Sequence, residues 1–271
     1  MTLLKAIGRY AENDGVVAYL AGCFVRDLIL KRCNLDVDIV IEGDALSFAR
    51  ELAGIYDASL VTYKQFGTAT LILPGGMKID VATSRREIYT ESGALPVVRP
   101  GSIQEDLFRR DFTINAMAIC LNAKRFGALV DEYNGFDDLK KKTIRILHPQ
   151  SFMDDPTRIL RAVRFEQRFH FKIEKETLSR LKSALKADAV SLVKPPRYFE
   201  EFKKILIEEN PQLSLKRLCE LKALGFLGFK KKNFTKIFPA IKKNSTESGL
   251  VPPEASFKNN RAVADLFYGI G

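Results

Sequence analysis

Leu35-Asp36-Val37-Asp38-Ile39-Val40-Ile41, residues 35–41, sets two aspartates two positions apart at the head of a β-branched run. Valine and isoleucine favour a pleated strand, and in a strand residues i and i+2 point to the same face. Asp36 and Asp38 are therefore expected side by side on one face. Adjacent carboxylates on an apolar strand repel each other and resist desolvation unless a cation neutralises them. Mg²⁺ suits this role, because it takes a few carboxylate oxygens and fills its other positions with water and substrate phosphates. Two such ions about 3.5–4 Å apart would activate an attacking hydroxyl and stabilise the leaving oxygen of a nucleotide. The same pair equally describes the polar face of a half-exposed strand, and Asp-x-Asp alone does not separate the two readings.

The flanking sequence adds chemistry to the pair. Upstream, Gly22 allows close backbone approach and Arg26 brings a planar guanidinium suited to phosphate oxygens. Downstream, Lys78-Ile79-Asp80-Val81 is a second strand-like run with an acid inside it, so Asp80 is read either as a third metal carboxylate or as a turn or edge residue. Strand signals recur at Thr68–Leu73 and Ile79–Val81, and DALSFARELA (44–53) reads as a helix capped by Asp44. Residues 1–150 are thus mixed α/β. Glu87 is expected to pair with a neighbouring arginine at the surface. The Glu87–Ser102 segment, with Gly93, Pro96 and Pro100, reads as a mobile loop beside the site.

Two arginine-rich segments follow. In RRDFTINAMAI (109–119), Arg110 is read as a triphosphate clamp, Arg109 as a solvated helix start, and Asp111 and Asn115 as groups that hold local backbone. DDPTRILRAVRF (154–165) reads as a helix with Pro156 in its first turn and Asp154 or Asp155 as its cap. Asp155, Arg158, Arg161 and Arg164 recur every third residue as a slowly drifting stripe, while Ile159, Leu160, Val163 and Phe165 are left to face a core. An Asp beside an Arg offers acceptors and donors able to read a base edge, with a further Arg for phosphate. An intrahelical ion-pair ladder has the same spacing. Helical periodicity continues through Lys175–Ala187 and Tyr198–Glu208, with a break at Lys194-Pro195-Pro196. The segment from Asn244 to Phe257, rich in Ser, Pro and Glu, reads as a loop or linker.

Composition restricts the function classes. Of 271 residues, 46% are hydrophobic and 28% charged, as in an ordinary globular protein. No apolar run has bilayer-spanning length and the first residues lack a signal-peptide pattern, so no membrane partner is expected. Four scattered cysteines and two histidines argue against zinc and for a reduced, cytoplasmic setting. Residues 1–150 carry 19 basic and 19 acidic side chains, so the whole net charge of +10 falls in residues 151–271. A neutral first part and a basic second part suggest that the second part holds a polyanion, or that lysines and arginines simply solubilise helices.

Five segments, LAGCFVRD (20–27), LDVDIV (35–40), RRDFTINA (109–116), NGFDDL (134–139) and DDPTRILRAVRF (154–165), together resemble the class II CCA-adding tRNA nucleotidyltransferases and the bacterial poly(A) polymerases, in the family's order and spacing. The resemblance implies an α+β fold: a polymerase-β-like nucleotidyltransferase head (1–147, a mixed sheet with helices), an all-α neck (148–210), and a partial helical body (211–271). Family members extend well beyond this length, which implies a fragment or a shortened form. The resemblance further implies that Asp36 and Asp38 are catalytic and bind two Mg²⁺ ions; Asp80 stays a candidate third metal ligand from the strand reading alone. Gly22, Cys23, Arg26 and Arg110 would bind the nucleotide, while Asp155 and Arg158, with Arg161 and Arg164 alongside, would select its base. Cys23 stands where the family usually has a second glycine, and Asp154 where many members carry Glu, so the turn must fit a side chain and base selection is expected to shift. Lys230, Lys231 and Lys232 are candidates for RNA binding.

The expected function is template-independent addition of CMP and AMP from CTP and ATP, or of the terminal AMP alone, to a tRNA 3′ end with release of pyrophosphate. The alternatives are a poly(A) polymerase acting on general RNA 3′ ends and a non-catalytic RNA-binding relative. The presence of Asp36, Asp38, Arg26 and Arg110 weighs against the last. The sequence leaves oligomeric state open.

Overall fold

The structure, a computed structural model, describes residues 3–32 and 36–225. Lys230, Lys231, Lys232 and the Asn244–Phe257 segment lie outside the described residues. The chain divides into two compact units. The first comprises residues up to Glu87 together with Val98–Leu139, and the second Ile88–Val97 together with residues from Lys140 onward.

The first unit is built on a seven-stranded mixed sheet. In chain order its elements are α1 (Leu3–Asn13), β1 (Val17–Ala21), α2 (Cys23–Ile29), β2 (Val37–Glu42), α3 (Ala45–Tyr56), β3 (Ser59–Tyr63), β4 (Thr68–Ile72) and β5 (Lys78–Thr83). Short strands β6 (Arg85–Ile88) and β7 (Val97–Pro100) pair with each other, followed by α4 (Ile103–Phe108), β8 (Ala118–Cys120), β9 (Leu129–Val130) and α5 (Gly135–Lys140). The sheet order is β3-β4-β5-β2-β1-β8-β9, with β2 and β5 parallel and the other pairs antiparallel. The expected strands at 37–41, 68–73 and 79–81 are all present. Helix α3 runs beyond Ala53 to Tyr56. Asp44 starts it by accepting hydrogen bonds from the backbone N–H groups of Leu46 (3.0 Å) and Ser47 (3.2 Å), and it stops where Asp57 turns left-handed, at φ 48°. Ala45, Phe48, Ala49 and Leu52 form its buried stripe, with Ile39, Ile41, Leu71 and Val81 also in the core.

The second unit is helical. Its elements are β10 (Thr143–Ile144), α6 (Ser151–Asp154), α7 (Arg158–Phe169), β11 (Lys172–Ile173), α8 (Lys175–Lys186), α9 (Pro195–Leu206) and α10 (Pro211–Glu220), with β10 and β11 forming a small parallel pair. Ile159, Leu160, Val163 and Phe165 are buried, as the periodicity of α7 requires. Three expectations are corrected. Residues 154–165 are not one helix capped by Asp154 or Asp155: Asp154 ends α6, Asp155 is the C-cap of α6, and α7 begins at Arg158 with Thr157 as its N-cap. The units part at Leu139–Lys140 rather than at His148, and Ile88–Val97 belongs with the helices. Pro195-Pro196 does not merely separate helices: both prolines occupy the first turn of α9, where their missing N–H groups cost nothing. Among the described residues, no helix is long and apolar enough to cross a membrane.

Candidate functional site

In the first unit, the β2–β5 register places Asp38 directly beside Asp80. Asp38 is half-buried on β2, whereas Asp36 stands just before the strand and is exposed. Burial raises the Asp38 carboxyl above its ordinary range; nearby Arg110 opposes the shift, and the like charges of Asp80 and Asp36 add to it. Asp80 is exposed and accepts a hydrogen bond from the Thr70 hydroxyl on β4. Among the described residues, no three His, Cys, Asp or Glu side chains converge as a preformed metal cage. Asp80 thus faces the site as a strand neighbour of Asp38, without completing a three-carboxylate cluster.

The turn between β1 and α2 meets this acidic pair. Gly22 has φ 79°, and a Cβ built on it would lie 2.2 Å from Nη1 of Arg110. Glycine is required here twice over, for its left-handed backbone and for the space that the guanidinium occupies. Arg110 Nη2 donates to Asp106 (2.9 Å), while its Nε is buried without a hydrogen-bond partner among the described residues. The Cys23 side chain is accommodated at the start of α2, where its thiol lies 3.6 Å from Oδ2 of Asp38. Gly22, Cys23, Asp38 and Arg110 are therefore brought together.

Arg26 is not part of that presentation. It is 2% exposed; Nε and Nη2 donate to Asp27 (2.8 and 2.9 Å) and Nη1 to Asn115 (2.6 Å). Its placement braces the Gly22 turn against the 111–115 segment, contrary to the expectation of direct phosphate contact. Asp111 holds local backbone as expected, accepting from Phe112 N–H (2.8 Å), whereas Asn115 bonds side chains instead, donating to Asp111 (2.9 Å) and accepting from Arg26 (2.6 Å). Arg109 is corrected. It caps the C-terminus of α4 and pairs with Asp106 (2.8 Å) and Glu87 (3.1 Å), so it does not begin a helix in solvent. Glu87 pairs with arginines as expected, but in a largely buried network.

The base-selection candidates all lie in the second unit. Asp155 Oδ1 accepts from Thr157 N–H (3.1 Å) and hydroxyl (2.6 Å) and pairs with Arg197 Nη2 (3.1 Å). The other end of Arg197 donates to the Gly93 carbonyl (3.0 Å), while Gly93 N–H donates to the carbonyls of Met153 (3.1 Å) and Asp154 (3.2 Å). Arg158 is 4% exposed and donates to Ser151 (2.6 Å). Arg161 and Arg164 do not form an intrahelical ladder. Both pair with Glu201 on α9 (3.3 and 3.5 Å), and Arg164 also with Glu208 (3.3 Å). Asp106 and Arg197 were not read as site residues from sequence. An acid three and four positions before paired arginines was a usable helical signal for Asp106, whereas Arg197 meets Asp155 only through tertiary packing.

A family model described as "Poly A polymerase head domain" matches residues 18–145, and one described as "Probable RNA and SrmB-binding site of polymerase A" matches residues 170–228. An A-adding tRNA nucleotidyltransferase of Geobacter sulfurreducens is 41% identical over 84% of this chain and 26% of its own length. One from Halalkalibacterium halodurans is 40% identical over 82% of this chain and 52% of its own length. A solved Thermotoga maritima CCA-adding enzyme complexed with tRNA-CCA is 41% identical, with TM-score 0.77 over 89% of this chain and 58% of that one. The chain thus spans between a quarter and about half of the length of these curated relatives. With its head motifs, mixed sheet and helical continuation, the chain carries a poly(A) polymerase head domain over residues 18–145 and the RNA-binding region described for that polymerase over residues 170–228.

Proposed function

We propose that this chain carries the transfer centre and base-selecting helices of a template-independent tRNA 3′-end nucleotidyltransferase. The observation that carries the reading is Arg110, whose guanidinium fills the space over Gly22 and acts on Asp38 across the site. Its buried, unpartnered Nε is a donor that a triphosphate oxygen would satisfy.

Asp36 and Asp38 fit a hydrated divalent cation. A half-buried carboxylate beside two like charges is relieved by one, and Mg²⁺ needs only one or two protein carboxylates when water and phosphates complete its shell. Bound there, Mg²⁺ would make the RNA hydroxyl more acidic and neutralise charge on the leaving group. Arg110 binds the triphosphate, and the Gly22 backbone lets it approach closely. The terminal 3′-oxygen attacks the α-phosphorus, the bond to the β-phosphate oxygen breaks, pyrophosphate departs, and the hydroxyl proton passes to solvent. Asp155 and Arg158 offer an acceptor and a donor for base selection. Arg161 and Arg164, held by Glu201 and Glu208, keep α7 seated on α9.

Incorporation of single nucleotides with Mg²⁺ on three RNAs tests the reading. ATP addition to tRNA ending in CC is the expected result. CTP addition to tRNA lacking CCA would extend the activity to the whole triplet, and long A tails on an unstructured oligomer would replace it with poly(A) synthesis. No incorporation on any RNA would overturn transfer by this chain.

A further inference from the structure

Asp106 lies on α4, three and four residues before Arg109 and Arg110, so one carboxylate can meet both side chains from a single helical face. It is 1% exposed. Its Oδ1 accepts Arg109 Nε (2.9 Å) and Nη2 (2.8 Å) and the Arg85 backbone N–H (3.4 Å), while Oδ2 accepts Arg110 Nη2 (2.9 Å). Burial alone would favour the neutral acid, but Arg110 and Arg109 hold the carboxyl below its ordinary range.

The consequence for Arg110 is geometric. Its guanidinium is fixed at one terminal nitrogen by Asp106, and the other fills the side-chain position of Gly22. A long side chain that would otherwise lose rotamer freedom on binding is ordered beforehand. Glu87 pairs with Arg85 and Arg109, and Asp106 with Arg109 and Arg110. Of the three guanidiniums, Arg110 is the one that adjoins Asp38 and leads from this network to the site.

We propose that Asp106 is a positioning residue for the nucleotide: it touches no substrate, and holds the Arg110 guanidinium in the orientation that receives the triphosphate. The proposal rests on Arg110 as a triphosphate ligand. If that holds, the two residues act as one unit and their effects do not multiply.

The test is a double-variant cycle in the full chain, read by equilibrium binding of Mg²⁺·ATP and by KM and kcat for ATP incorporation. Asp106→Asn should weaken ATP binding about tenfold, matched in KM, with kcat changed far less. Arg110→Ala should weaken it at least as much, and Asp106→Asn combined with Arg110→Ala should be no worse than Arg110→Ala alone. If Asp106→Asn does not fold, Asp106→Glu serves instead. It keeps the charge, shifts the carboxylate by one methylene, and should still raise KM. Multiplying effects in the double variant, or a fall in kcat with KM unchanged, would overturn the positioning role. Unchanged ATP binding in Arg110→Ala would instead overturn the triphosphate reading beneath it.

Discussion

Asp38 is costly to the protein that carries it, because it is a half-buried carboxylate next to Asp80 on a strand rich in valine and isoleucine. Its carboxyl is raised chiefly by burial, so its contribution to stability is present below the unfolded value of 3.8 and is lost as pH rises through the folded value. At neutral pH without divalent cation the charge therefore opposes folding. Asp38→Asn should abolish incorporation while raising the thermal midpoint measured in chelator, and Mg²⁺ should stabilise the parent but not the variant. A variant that melts lower in chelator would contradict the electrostatic account. Gly22→Ala tests the opposite side of the site: it forces a Cβ into left-handed backbone and against Arg110 Nη1. It should raise KM for ATP at least tenfold, with a loss of about 1–3 kcal/mol in denaturant midpoint analysis. Asp36, Asp38, Gly22 and Arg110 were legible as local patterns. The inward turn of Arg26 is not legible locally, since it depends on Asp27 and Asn115 meeting in space.

The α7–α9 pairing shows the same division between local signal and tertiary partner. The apolar stripe of α7 was readable from spacing, and so were β2, β4, β5 and α3. The two-residue pair β10–β11 has too few residues to register as alternation, and α9 began earlier than read because proline at N1 initiates as readily as it interrupts. The arginine stripe suggested an internal ladder, yet its acceptors are Glu201 on α9 and Glu208 just beyond that helix, 40 and 44 residues away. Glu201, 8% exposed, accepts from Lys204 (2.7 Å) and pairs with Arg161 and Arg164. Burial works to raise its carboxyl, but these cations hold it below the ordinary 4.5. That stabilisation is present above pH 4.5 and disappears as pH falls through the folded value. Glu201→Gln should therefore cost about 1–2 kcal/mol at neutral pH, by removing the charge that Arg161 and Arg164 share while Arg164 keeps Glu208. The difference from the parent should shrink on acidification below that range. Equal losses at all pH values in denaturant titrations would show that packing, and not charge, holds α9.

At the scale of the whole molecule, the charge is divided as the proposed labour is. The first 150 residues, which carry Asp36, Asp38 and Asp80, are neutral overall. All ten net positive charges reside in residues 151–271, where a polyanionic RNA would be held at little cost to the acidic site. Much of the second unit's charge is internally committed: Arg161, Arg164, Arg168 and Arg217 face Glu201, Glu208 and Glu166. Counterion release must then draw on cations outside such pairs, and the sequence run Lys230, Lys231 and Lys232 is a compact candidate. Replacing all three by serine should weaken binding to tRNA ending in CC and flatten the dependence of log K on log salt. At about 0.7 per phosphate contact, three contacts account for a slope change of about 2. ATP affinity should stay at the parent value, because the triphosphate is assigned to Arg110. An unchanged salt slope would make the run a solvated surface, whereas a loss of ATP affinity would mean that it serves the nucleotide and not the RNA.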